Sequence, residues 1–170
     1  MERFQEARDK ALNHLKLANH VLGVTYPLVK DPKLLVNVVD NLFLALTNAL
    51  TSVLHYDRLF KQIPPFHDTF ESKFTMFQAK CVLRYKIDGS YLRLIQEIKE
   101  IVLLHRSSPV EFRRKDRFVI CSDNFNTHEI SADKIKDYLK KTKEFFELSQ
   151  KIVNENERIF SRSERRIEAP

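Results

Sequence analysis

The chain is poor in glycine, with only Gly23 and Gly89 among 170 residues. That scarcity weighs against turn-rich all-β folds and against phosphate-cradling loops, because both need glycine where the backbone takes positive φ or approaches a ligand closely. Tryptophan is absent, so aromatic packing rests on 13 Phe and 5 Tyr. Cysteine is nearly absent too. Cys81 and Cys121 form no Cys-x-x-Cys pair, and two free thiols in a reducing cytoplasm is the expectation. The opening residues, MERFQEARDK, are charged and hold no apolar signal core, so a cytoplasmic location is expected.

Chemical motifs are lacking as well. No Glu-x-x-His, His-x-x-x-His or His-Glu-x-x-His occurs, so no metal site is expected at helical spacing. There is no P-loop, dinucleotide fingerprint or Gly-x-Ser-x-Gly, and no cofactor is expected. The carboxylate pair Glu97 and Glu100 sits among charged neighbours and reads as a solvated face.

What is present is ordinary for a soluble domain: 43% hydrophobic and 31% charged residues, in a chain long enough to bury its own core. Net charge is +6, which favours anionic partners. The surplus is spread evenly, +3 over residues 1–104 and +3 over 105–170, so neither part is a basic tail.

Apolar periodicity predicts five helices. In the first, residues 2–23, Phe4, Ala7, Ala11, Leu15, Ala18 and Leu22 share a face; Gly23 is placed to end it, with VTYPLVK as connector. Asp31-Pro32 supplies an N-cap and a first-turn proline for the second helix, expected to run to Gln62 and stop at Pro64-Pro65. Its stretch from Leu34 to Tyr56 is apolar enough to suggest a membrane span, but Asn37, Asp40, Asn41 and Asn48 fit a buried helix better, and no membrane partner is expected. The third helix is expected from Asp68, on a capping-box pattern with Glu71, to Gly89, with Phe70, Phe74, Phe77, Cys81 and Tyr85 on one face. Tyr91, Leu94, Ile98, Ile101 and His105 are in phase in the fourth.

Residues 110–130 break the pattern, and EFRRKDRFVIC followed by SDNFN predicts a small β-hairpin. The last helix starts at the N-cap Ser131. Two of its heptad rows, Tyr138-Phe145-Ile152-Ile159 and Leu139-Phe146-Val153-Phe160, are apolar; the row Ile135-Thr142-Ser149-Asn156 is taken as the edge of the buried stripe. The expected fold is therefore an all-α, up-and-down bundle of about five helices with a β-hairpin excursion before the last. It forms a single domain over residues 1–156, followed by a charged, frayed tail over 157–170.

Three groups of residues are site candidates. On the second helix Asn41, Asn48, Ser52 and His55 form a polar line, read as internal packing, a two-fold interface or a pocket wall. His105 closes an apolar stripe next to Arg106, as a structural histidine or a catalytic pair. In the hairpin, placing Phe112, Phe118 and Ile120 on one face puts Arg113, Arg117 and Lys115 on the other. With Arg106 and Arg114 these cations are candidate phosphate contacts, or charges that keep an edge strand from pairing.

The order of these segments resembles the HEPN superfamily of small helical bundles. The resemblance runs over roughly residues 5–153, from ARDKALNHLKLANHVL through an apolar second helix to SADKIKDYLKKTKEFFELSQKIV. It implies a homodimer linked to RNA, as an endoribonuclease, an inactive partner or an RNA-binding module. The catalytic motif of that family, an Arg followed after four to six residues by His near the end of the third family helix, is not found there. His105-Arg106 stands in that place in reversed order, and the one spacing match, Arg8 to His14, lies inside the first helix. The leading expectation is a non-catalytic homodimer that binds RNA or another polyanion through the basic hairpin. The alternatives are a metal-independent endoribonuclease using His105 and Arg106, and a protein-interaction module with no nucleic-acid role.

Overall fold

The computed structural model describes the backbone of residues 1–108, 110–115 and 117–167, and side chains up to residue 158 except that of Val110. Pro109 and Asp116, expected just past a helix end and in the hairpin turn, lie outside the described residues, as do the side chains of Ile159 and Phe160 and the last three residues of the tail. Among the described residues five helical bodies surround the main core, and a three-stranded antiparallel sheet precedes the last of them.

Helix α1 (Arg3–His20) runs on through a π-helical turn, Val21–Thr25, into Tyr26–Val29. Gly23 therefore does not end it. The wider π-turn absorbs the glycine, and the chain leaves the helix at Lys30, φ 53°. Helix α2 (Lys33–Leu59) starts one residue later than expected, with Pro32 at its N-cap; Asp31 Oδ1 accepts from the Lys33 amide at 2.9 Å. Sixteen of the 27 residues of α2 are buried, more than one face supplies, so it is the central helix. It packs on α1 along its length and also against the later helices. Although long and apolar enough for a membrane by composition, 61% of its most apolar window is buried within the chain.

The end of α2 also differs from expectation. Lys61, φ 57°, turns the chain, with the amides of Lys61 and Gln62 returning to the carbonyls of Arg58 (3.1 Å) and Asp57 (2.8 Å), before the prolines are reached. Helix α3 starts at Phe70 instead of Asp68, because Thr69 caps it by accepting from the Ser72 amide at 3.2 Å. It comprises Phe70–Met76, a second π-turn at Phe77–Cys81, and Val82–Arg84. Lys86 (φ 52°) ends that body, and Gly89 opens α4 (Gly89–Ser107) under an Asp88 cap that accepts from Ser90 N at 2.7 Å.

Helix α5 (Ala132–Ile167) follows Ser131, whose Oγ accepts from the Lys134 amide at 3.4 Å. Its backbone is helical to Ile167. The row Ile135-Thr142-Ser149 is buried at the centre of the stripe, not its edge. Thr142 and Ser149 donate to the Tyr138 and Phe146 carbonyls of their own helix, both at 2.7 Å, so their hydroxyls are satisfied without solvent.

Candidate nucleic-acid interface

Strands β1 (Val110–Arg114), β2 (Arg117–Cys121) and β3 (Thr127–Ser131) form a sheet in the order β1-β2-β3. One more strand forms than a hairpin requires. Lys115 makes the first turn with φ 57°, which sets Arg114 opposite Arg117. Under that register an even position on β1 faces an odd position on β2, so Phe112 pairs with Val119 and Arg113 with Phe118. The expected division of faces is therefore corrected: Phe112 does not share a face with Phe118 and Ile120.

The inward face carries Phe118, Ile120 and Ile130, all in the main core cluster. Arg113 and Glu111 lie on this face and tie the sheet to the bundle. Arg113 Nη1 sits 3.2 Å from Asp31 Oδ1, and Glu111 Oε1 sits 2.7 Å from His105 Nδ1. The outward face carries Arg114, Arg117 and Ser131 in one row and Phe112, Val119 and Glu129 in the next. Arg117 Nη1 donates to Glu129 Oε2 at 2.6 Å. Arg114, Lys115, Arg117 and Glu129 border a cleft of about 330 Å³. Phe112 stands beside them, 44% exposed.

The structure thus brings together Arg114, Lys115 and Arg117, and separates Arg113 from them. Arg106 is exposed in the last turn of α4 and does not line the cleft. His105 is half-buried, with its ring edge-on to Phe118 at 6.3 Å between centroids. Asp40 on α2 lies within electrostatic reach of both His105 and Arg106. Burial pushes its carboxyl above the usual range against their pull, and its buried Oδ1 has no hydrogen-bond partner among the described residues.

The polar line of α2 divides. Asn41 is bonded internally, its Oδ1 3.0 Å from His14 Nδ1 and its Nδ2 donating to the Asn37 carbonyl at 2.9 Å. Ser52 donates to the Phe4 carbonyl at 2.8 Å. Both serve the α1–α2 seam. Asn48 and His55 instead border an open cavity of about 580 Å³. Burial lowers the His55 pKa, and the cations Lys73 and Arg3 lower it further.

A buried polar cluster escaped the sequence reading. Asp57, 1% exposed, accepts from Arg84 Nη1 at 2.8 Å, from the Tyr85 hydroxyl, and from Cys81 Sγ at 3.5 Å. Burial and then the Asp57 charge push the Cys81 thiol far up, so it is no nucleophile near neutral pH. The available signal was an acid at the end of an apolar helix, with Cys81 and Tyr85 one turn apart on the stripe that meets it. Among the described residues no cluster of three or more His, Cys, Asp or Glu is placed to hold a metal ion. Comparison with protein-family models, curated proteins and solved structures finds no match for the chain.

Proposed function

We propose that the protein is a non-catalytic, HEPN-like cytoplasmic homodimer that binds single-stranded RNA through the outward face of its sheet. One observation carries the reading: an exposed Phe112 lies in register beside a cleft bordered by Arg114, Lys115 and Arg117. Cations on a fixed strand hold phosphates, while an exposed ring stacks a base at about 1–3 kcal/mol without reading its identity. For the dimer, the exposed Val24, Leu28 and Val29 at the end of α1 offer apolar surface, and sedimentation at micromolar concentration reads it.

The test is fluorescence anisotropy with a labelled 12-nucleotide RNA at 50 and 200 mM salt. Wild type binds at low salt. Phe112→Ala weakens binding about tenfold, and Arg114→Glu with Lys115→Glu abolishes it, each lost contact reducing the salt slope by about 0.7. Absence of wild-type binding at 50 mM, or unchanged binding by the double variant, overturns the proposal.

The endoribonuclease alternative keeps one favourable observation. Glu111 engages His105 Nδ1, which leaves the other ring nitrogen to act as a base. Arg106, one residue on, points about 100° away around the helix, which does not suit convergence on one phosphate. The same RNA incubated in EDTA and run on a gel decides: intact RNA keeps the binder reading, and fragments that vanish with His105→Ala replace it.

A further inference from the structure

Helices α2 and α3 end side by side. Phe43 of α2 meets Phe70 at the start of α3, with ring centroids 5.3 Å apart, and Asp57 near the end of α2 meets Arg84 near the end of α3. The two helices therefore run in the same direction. Each is followed by a turn at a lysine with positive φ, Lys61 (57°) and Lys86 (52°). The amides of those lysines return to the carbonyls of Arg58 (3.1 Å) and Leu83 (3.4 Å). Arg84 joins the two turns, since it holds Asp57 and the Gln62 carbonyl at once.

This corner of the bundle shows apolar side chains to solvent. Leu59, before the first turn, is 49% exposed, and Leu83, before the second, is 85% exposed. Cations surround both. Arg3, Arg58 and Lys61 share a recess with Leu59, while Lys86 and Lys151 share a second recess with Arg84. The acids bordering these recesses are Glu2 and Glu155, and Glu155 lies 3.8 Å from Lys151. The corner is thus apolar at its tips and positive around them. Cations at helix C-termini suit the carbonyl ends of α2 and α3, but that accounts for the charge and not for a leucine on each turn.

A nucleic acid would match the charge alone, because aliphatic side chains offer no face on which a base can stack. An anionic bilayer matches both features. Its headgroups answer the cations, its acyl boundary takes the leucines, and the lysine stems reach back to headgroup level. We propose that this corner docks the protein on an anionic lipid surface, with Leu59 and Leu83 in the headgroup–acyl boundary and Arg58, Lys61 and Lys86 on the headgroups. Contact with one leaflet needs no membrane span, and α2 keeps its sixteen buried residues in the core. The sheet and the apolar end of α1 lie at the opposite end of α2, where Asp31, two residues after Val29, is held by Arg113.

The chain has no Trp, so Leu83→Trp places a single fluorescent reporter at the corner and Leu28→Trp places one at the end of α1. The probes are vesicles of phosphatidylcholine alone and vesicles with about one-third phosphatidylglycerol, at about 50 mM salt. Expected is a blue shift of Leu83→Trp emission on the anionic vesicles only, and no shift of Leu28→Trp on either. In cosedimentation the wild type binds the anionic vesicles. Leu59→Ser with Leu83→Ser weakens that binding about tenfold. Lys61→Glu with Lys86→Glu weakens it by at least about fivefold for each cation lost. Each double variant keeps the circular dichroism spectrum of the wild type. Arg114→Glu with Lys115→Glu, which tests RNA binding at the sheet, leaves vesicle binding unchanged, so the two proposals fail separately. Absence of wild-type binding to anionic vesicles, binding that survives both corner variants, loss of it through the sheet variant, or a shift at Leu28→Trp without one at Leu83→Trp each overturns the proposal. Binding of polyaspartate in place of anionic vesicles also overturns it and hands the corner to an acidic protein.

Discussion

Among the described residues five hold a positive φ, and neither glycine is one of them: Lys30, Lys61, Lys86, Lys115 and Phe125. Left-handed backbone costs a residue with a Cβ roughly 1–2 kcal/mol, whereas glycine adopts it freely. Gly89 meanwhile sits at ordinary φ in the first turn of α4, and a Cβ added there meets nothing within 4 Å. Lys86→Gly is therefore expected to stabilise the fold by about 1 kcal/mol, and Gly89→Ala by about 0.5 kcal/mol through the unfolded chain. Thermal and urea melts of the two variants and their combination check this; a lower melting temperature for Lys86→Gly would mean that the lysine side chain contributes more than the strain costs. The same residues explain why helix ends were misplaced from sequence. Glycine is the letter that signals a helix end, and here lysine does the turning. At Thr142 and Ser149 the letters misled in the opposite sense: a polar type suggested a stripe edge, but each hydroxyl closes on its own helix and disappears into the core.

At the scale of elements, α2 and α3 are fastened by one buried charge. Asp57 on α2 meets Arg84 and Tyr85 at the end of the α3 body, and Arg84 Nη2 also donates to the Gln62 carbonyl at 3.1 Å, so the turn after α2 is held by the same guanidinium. Removing the partly exposed Arg84 leaves the buried Asp57 carboxylate without its cation, which costs more than the pair contributes. Arg84→Met is accordingly expected to destabilise by about 3 kcal/mol, and adding Asp57→Asn to recover more than about 1 kcal/mol of that, since no bare carboxylate remains. Denaturation of the two variants and of the Asp57→Asn single measures the coupling, and a double variant no more stable than Arg84→Met would show that packing, not charge, holds the joint. No periodicity argument finds this contact, because its partners are 27 residues apart and only the fold brings them together. The sheet faces were hidden for a similar reason. Alternation within one strand is legible, but which positions share a face across two strands depends on turn register, and a shift of one residue exchanges the faces.

For the whole molecule, the class and order of elements were legible because a 3.6-residue period needs only local sequence, whereas the joining of the sheet to the bundle needed long-range contacts. That joining decides whether residues 105–131 are an appendage or part of the domain. Phe118, Ile120 and Ile130 belong to the same core cluster as Leu35, Leu42 and Ile98, so the inward face of the sheet supplies part of the wall around α2. Glu111 and Arg113 add polar ties to α4 and to the start of α2. The inward face is thus anchored, while Phe112, Arg114 and Lys115 stand exposed on the other. If the sheet and bundle are one cooperative unit, deleting core volume from the sheet must lower the stability of the helices. Ile120 is fully buried, and Ile120→Ala is expected to cost about 3 kcal/mol, lowering the melting temperature by about 6–12 °C. Helical circular dichroism and tyrosine fluorescence should report that loss in a single coincident transition, since Tyr56, Tyr85, Tyr91 and Tyr138 all lie on helices or at their ends. A helical melt unmoved by Ile120→Ala would show instead that the sheet unfolds by itself, as a tether beside the bundle.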